Sequence, residues 1–183
     1  MRNNRVLKLN IAGLLIAIGI AIPMFLPFPF KIVWEPASYT LASHVPIFIA
    51  MFISPAMAAA VASGTTLGFF LGGYPPVIVL RAATHIVFAV MGAIYFKKVL
   101  KTKKSDIALR VFSFCIAALH AISEVVVVSI FYWGGKMNEG YYSSGYLRAV
   151  ILLVGLGTVI HSMVDFELAN IVRQALKLDK RLS

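Results

Sequence analysis

The stretch Tyr74–Tyr95, YPPVIVLRAATHIVFAVMGAIY, decides the fold class. Its apolar run is long enough to cross a bilayer as a helix, for which about 20 residues are needed. It nevertheless carries Arg81 and His85 within that run. A positive charge there costs about 2.5–3.5 kcal/mol on insertion scales, so the expectation is that it faces a partner, a ligand or a water-filled cavity.

The rest of the chain agrees with a membrane setting. Of 183 residues, 60% are hydrophobic and the mean hydropathy is +0.88, which excludes an ordinary soluble domain. The first apolar segment is too long for the hydrophobic region of a signal peptide and has no A-x-A cleavage pattern, so it reads as a transmembrane helix. A single cysteine, Cys115, excludes an internal disulfide framework and a CxxC redox pair. The net charge of +10 would suit nucleic acid if it were spread out, but the basic residues gather at span edges. Arg2, Arg5 and Lys8 open the chain, Lys97, Lys98, Lys101, Lys103 and Lys104 form one loop, and Arg173, Lys177, Lys180 and Arg181 close it. An even number of spans puts all three clusters on one side, which the positive-inside rule makes cytoplasmic, against anionic lipid.

Six spans are expected, at about Leu7–Pro27, Tyr39–Ile53, Ala56–Leu71, Tyr74–Tyr95, Ile107–Trp133 and Tyr146–Val172. They give an all-α bundle in a single membrane domain over 1–183, with both termini cytoplasmic. On the first span Gly13, Ala17 and Ala21 recur every four residues, a small-residue stripe that suits either docking of another helix or packing within the chain. The prolines of PFPFKIVWEPAS favour a stiff extended outer loop, with Trp34 and Tyr39 as interfacial anchors or a lid. Ser54-Pro55 predicts a tight turn into a third helix rich in Ala, Gly, Ser and Thr. The later loop GGKMNEGYYSSG reads as mobile and able to close over a site.

Counted at 1.5 Å per residue from the outer span ends, Arg81, His85, Glu124, His120 and His44 fall in the outer half of the bilayer, with Arg148 at the rim. His161, Asp165 and Glu167 are expected near the inner face. The outer group suits anion recognition, because an arginine fork matches a carboxylate and a histidine can donate or accept beside it. The competing reading is an Arg81–Glu124 ion pair that only locks two helices together, and the two can coexist. The loop aromatics Trp34, Tyr39, Tyr74, Trp133, Tyr141 and Tyr142 suit either stacking on a flat ligand or an interfacial belt. Four histidines on four helices raise a metal site, but without a spacing such as HExxH none is expected. There is no GxSxG elbow and no phosphate-binding loop, so neither a hydrolase nor an ATPase is expected, and no cofactor of its own.

The alanine-xxx-alanine motif in AIGIA (Ala17–Ala21), and SHVPIFIAMFISPAMAAAVASGTTLGFFLGG from Ser43 with its inner Ser54-Pro55 turn, resemble the substrate-binding (S) components of energy-coupling factor vitamin transporters. The segment SYTLASHVPIFIAMFISP looks most like the niacin-specific members, with pantothenate-specific ones second. The resemblance implies a high-affinity vitamin-binding protein with a loop-one lid. It also implies docking on a transmembrane (T) subunit served by two ATP-binding subunits, through Gly13, Ala17 and Ala21. A stand-alone proton-coupled carrier, using Glu124 and the histidines as a relay, is the rival reading.

Overall fold

The computed structural model describes residues 2–34, 37–100 and 105–178, with backbone alone at 2–4, 33, 34, 37, 38 and 100. Lys101, Lys103, Lys104, Lys180 and Arg181 of the expected basic clusters therefore lie outside the described residues, as does the side chain of Trp34.

The helices are α1 (Arg2–Phe25), α2 (Val45–Ile53), α3 (Pro55–Leu71), α4 (Pro76–Tyr95), α5 (Asp106–Trp133), α6 (Glu139–Ser144) and α7 (Gly157–Ala175). A π-helical turn, Phe96–Leu100, extends α4, and a longer π-helical segment, Leu147–Leu156, leads into α7. Four helical stretches are long and apolar enough to cross a membrane: Arg5–Phe25, Pro76–Val99, Asp106–Trp133 and Leu147–Ala175. Pro55–Leu71 is a shorter apolar helix, and α2 is nine residues long.

Two expected elements differ. The fold is all-helical as expected, but the loop between α1 and α2 holds a short hairpin in which strands β1 (Lys31–Trp34) and β2 (Ala37–Thr40) pair antiparallel, Lys31 opposite Thr40 and Trp34 opposite Ala37. The proline-rich path is extended as its composition requires, and the ladder takes up the first residues of the expected second span, so that α2 starts only at Val45. GGKMNEGYYSSG contains the ordered helix α6, whose cap residue Asn138 accepts the Tyr141 N–H and whose Tyr141 is buried. The Ser54-Pro55 turn matches expectation: Ser54 is extended, accepts the Met57 N–H at 3.1 Å, and is followed by proline in the first helical turn.

Helix α1 packs on α3 through close approach. A Cβ at Gly64 or Gly68 would collide with the side chains of Ile16 and Ile20 respectively, so these glycines form the holes that the isoleucines fill. The opposite face of α1 is bare: Gly13 and Ala17 are exposed, Ala21 is half-buried, and a Cβ at Gly13 meets nothing. Beneath the centre of the bundle lies a phenylalanine cluster in which Phe48 meets Phe88 and Phe166 at ring separations of 5.5 and 5.4 Å. A second core, Val128, Tyr141, Ala149, Val150 and Val154, seals α5 against the π-helical segment. The polar site sits between these two cores.

Candidate functional site

Each element contributes to the site through its buried face. Ala82, His85, Phe88 and Ala89 recur at helical spacing on the inward side of α4, and His120 and Glu124, one turn apart, share the inward side of α5. On α7, His161 and Asp165 repeat this spacing, and His44 closes the turn that enters α2. The rings meet edge to face: His44 lies 4.8 Å from His85, 4.7 Å from His120 and 5.0 Å from His161, and His85 lies 4.7 Å from His120. Phe88 supports His120 from below at 4.5 Å.

Two carboxylates organise the cluster. Glu124 accepts at Oε2 from Arg81 Nη2 and from Thr158 Oγ1, both at 2.8 Å, while its Oε1 lies 3.4 Å from His85 Nε2 and 3.5 Å from His120 Nε2. Asp165 is fully buried and holds the turn before α2, accepting the backbone N–H of Ala42 at 2.7 Å and of His44 at 2.9 Å, with His44 Nδ1 at 3.2 Å. Ala42 has φ of 67°, a conformation that costs a non-glycine residue about 1–2 kcal/mol, and the bonds to a charged acceptor offset it.

The β hairpin covers the site. The Tyr39 hydroxyl donates to the Leu153 carbonyl of the π-helical segment. Gly157 permits the approach, because a Cβ there would strike the Tyr39 ring. Lys31 Nζ lies 3.3 Å from the Pro23 carbonyl, to which residue 27, also a proline, has no N–H to donate.

Under this cover is a cavity of about 130 Å³, lined by Lys31, Tyr39, Thr40, Ser43, His44, Thr65, Phe69, Tyr74, Arg81, His85, Glu124, Thr158 and His161 among others. Phe69 and Tyr74 stack on each other at 4.8 Å and form its aromatic wall. An apolar cavity of about 150 Å³ holds one benzene ring, so this space matches one small aromatic molecule. Arg81 is paired with Glu124, yet its Nε is buried without a hydrogen-bond partner, as are Thr65 Oγ1, His85 Nδ1 and His120 Nε2. Such unspent buried groups are costly unless something else meets them.

The sequence-derived candidates are thus placed as follows. Arg81, His85, His44, Glu124 and Tyr39 line the cavity, and His120 lies against it behind Glu124. Arg148 is exposed at the start of the π-helical segment and does not line it. Trp34 belongs to β1, with its side chain outside the described residues. Trp133 and Tyr142 are exposed. His161 and Asp165 correct the expectation of an inner-face location, since both join the His44 cluster. The depth count assumed uniform α-helical rise, whereas residues 147–156 wind as a π-helix and the hairpin and turn carry His44 down to Asp165. Lys31 and Thr158 were missed. The prolines at 23 and 27 hold the signal for Lys31, whereas nothing around Thr158 distinguishes it from a packing threonine.

Among known proteins, the chain is 41% identical over 179 residues to the niacin transporter NiaX of Lactococcus lactis subsp. cremoris (strain MG1363), an alignment covering 96% of this chain and 78% of that protein. No family model and no solved structure matches the chain. A transporter relative and four apolar helices of spanning length identify a multi-pass protein of the bacterial cell membrane that is not an enzyme. At this identity and coverage, the chain belongs to the family of the niacin transporter NiaX.

Proposed function

We propose that this protein is the niacin-binding S component of an energy-coupling factor importer, taking nicotinate into the cavity beneath the hairpin. The observation that carries the reading is the unspent half of Arg81: one nitrogen locks to Glu124 while Nε stays buried and unpartnered at the cavity wall. The carboxylate of nicotinate meets this arginine, with Lys31 as a second cation on the cavity lining, and its ring stacks against Phe69 and Tyr74. The two sequence readings of Arg81, lock and anchor, therefore coexist. The cavity size favours nicotinate over the larger pantothenate, whose hydroxyl and amide groups would need more room.

In this reading six helices span the membrane, with α2 and α3 as short members and both termini cytoplasmic. The bare small-residue face of α1 supports docking of the T subunit at Gly13, Ala17 and Ala21, with ATP used by the two partner ATPases.

The test is nicotinate binding to purified protein beside the double variant Arg81→Gln/Glu124→Gln, which removes both charges and leaves a hydrogen-bonded pair. Loss of the carboxylate anchor predicts affinity lower by about 30-fold or more, the equivalent of about 2 kcal/mol. Unchanged affinity in a folded double variant refutes the assignment of Arg81.

A further inference from the structure

We infer that His44, His85 and His120 form a binding site for one divalent transition-metal ion at the floor of the cavity. The inference does not depend on the identity of the vitamin. One ring nitrogen from each residue lies within 4.8 Å of those of the other two, and the three rings stand mutually edge to face. Tetrahedral coordination at about 2.1 Å separates ligand nitrogens by about 3.4 Å, so small side-chain rotations close the triad around an ion.

Three features make this more than a cluster of histidines. First, each ring has one nitrogen engaged by an outer partner. His44 Nδ1 meets Asp165, His120 Nδ1 meets Ser162 Oγ at 3.2 Å, and His85 Nε2 meets Glu124 at a long 3.4 Å. This is how metal-binding imidazoles are oriented, the far nitrogen being tied to a carboxylate or hydroxyl so that the near one presents its lone pair. Second, the remaining nitrogens of His85 and His120 are buried and make no hydrogen bond, although His120 Nε2 lies 3.5 Å from Glu124 Oε1. Third, the fully buried Asp165 forms ion pairs only with His44 and His161 among the described residues, so its negative charge stands directly behind one of the three rings and favours a cation held there. Nitrogen ligands in a three-imidazole set suit zinc, nickel, copper or iron, and disfavour magnesium and calcium.

The test uses the full chain, purified without a histidine tag and stripped with a chelator, with Co²⁺ as the probe. The expected result is one Co²⁺ per chain, visible absorption of a low-coordinate Co²⁺ site, displacement by Zn²⁺, and an X-ray absorption spectrum with imidazole scattering at about 2.0–2.1 Å. His120→Asn abolishes the signal, and Ser162→Ala, removing the hydroxyl that meets His120 Nδ1, weakens binding by about 10–100-fold. No bound Co²⁺ or Zn²⁺ at micromolar concentrations in the wild-type chain overturns the inference. So does an oxygen-only shell, or unchanged binding in His120→Asn. The wild-type measurements decide the matter even if a variant fails to fold.

Discussion

Glu124→Gln separates the two roles of Arg81. In the ligand-free protein the substitution leaves a guanidinium, 18% exposed at its side chain, without the carboxylate it meets at 2.8 Å. Removing one partner of a buried pair costs about 3–5 kcal/mol, and because glutamine still offers an oxygen the lower end applies. For a chain of this size about 3 kcal/mol lowers Tm by roughly 6–12 °C. Nicotinate binding should move the other way. If its carboxylate lies about 6 Å from Glu124, across the guanidinium, the repulsion removed is about 2.8 kcal/mol at an effective dielectric of about 20. A gain of about 10- to 100-fold in affinity follows. Saturating ligand, at about 1,000 times Kd, adds about 4.1 kcal/mol and so more than restores the lost stability. The assay is a thermal melt of purified protein with and without nicotinate, paired with equilibrium binding, and with nicotinamide as the uncharged control. Nicotinate should raise Tm more in the variant than in the wild type, while nicotinamide should not. If the variant binds nicotinate more weakly than the wild type yet keeps its Tm, Arg81 does not hold the carboxylate.

Further expectations concern the frame around the site. Ala17→Trp should leave nicotinate affinity and Tm unchanged and abolish uptake in cells, because Ala17 is exposed on the bare face of α1; loss of binding would mean that the stripe packs within the chain. Gly68→Leu should do the opposite, overfilling the α1–α3 contact and costing about 1–3 kcal/mol in the thermal melt, with a collision against Ile20 as the cause. Gly157→Val should displace Tyr39 from Leu153 and weaken nicotinate binding while the helices stay folded, as measured by circular dichroism alongside binding. In liposomes containing this chain alone, a pH gradient should drive no nicotinate uptake; accumulation would favour the proton-coupled carrier.

Much of the frame was legible because membrane helices announce themselves by length, and because a buried charge in an apolar run demands an explanation. Arg81, His85, His120 and Glu124 could be placed on shared faces from spacing alone. The hairpin was hidden because Lys31–Thr40 is short and proline-flanked, so composition gave extension but not pairing. The position of Asp165 was hidden for a different reason. Its depth depended on a π-helical segment and an irregular turn, neither of which a uniform helical rise can represent. The histidine triad shows the same limit: its members are separated by 41 and 35 residues, so no motif spacing records it, and only the folded arrangement brings them together.

The irregular parts of the backbone are also the parts that build the site. The turn before α2 brings Ser43 and His44 to the cavity, the π-helical segment ends just before Thr158, which lines it, and both irregular stretches are tied down by side chains from elsewhere. Within a bilayer, non-helical backbone persists only where protein or a water-filled cavity satisfies its polar groups. Asp165 does this for the N–H groups of Ala42 and His44, and Tyr39 does it for the carbonyl of Leu153. The carboxylate that holds the turn therefore also orients His44, and the hydroxyl that pins the hairpin also closes the cavity roof. Opening the site by lifting the hairpin must break the Tyr39 contact, while the Asp165 contacts can stay, because they lie at the base of the turn. The hinge of any lid motion is thus expected at residues 40–42, between an anchor that releases and one that holds.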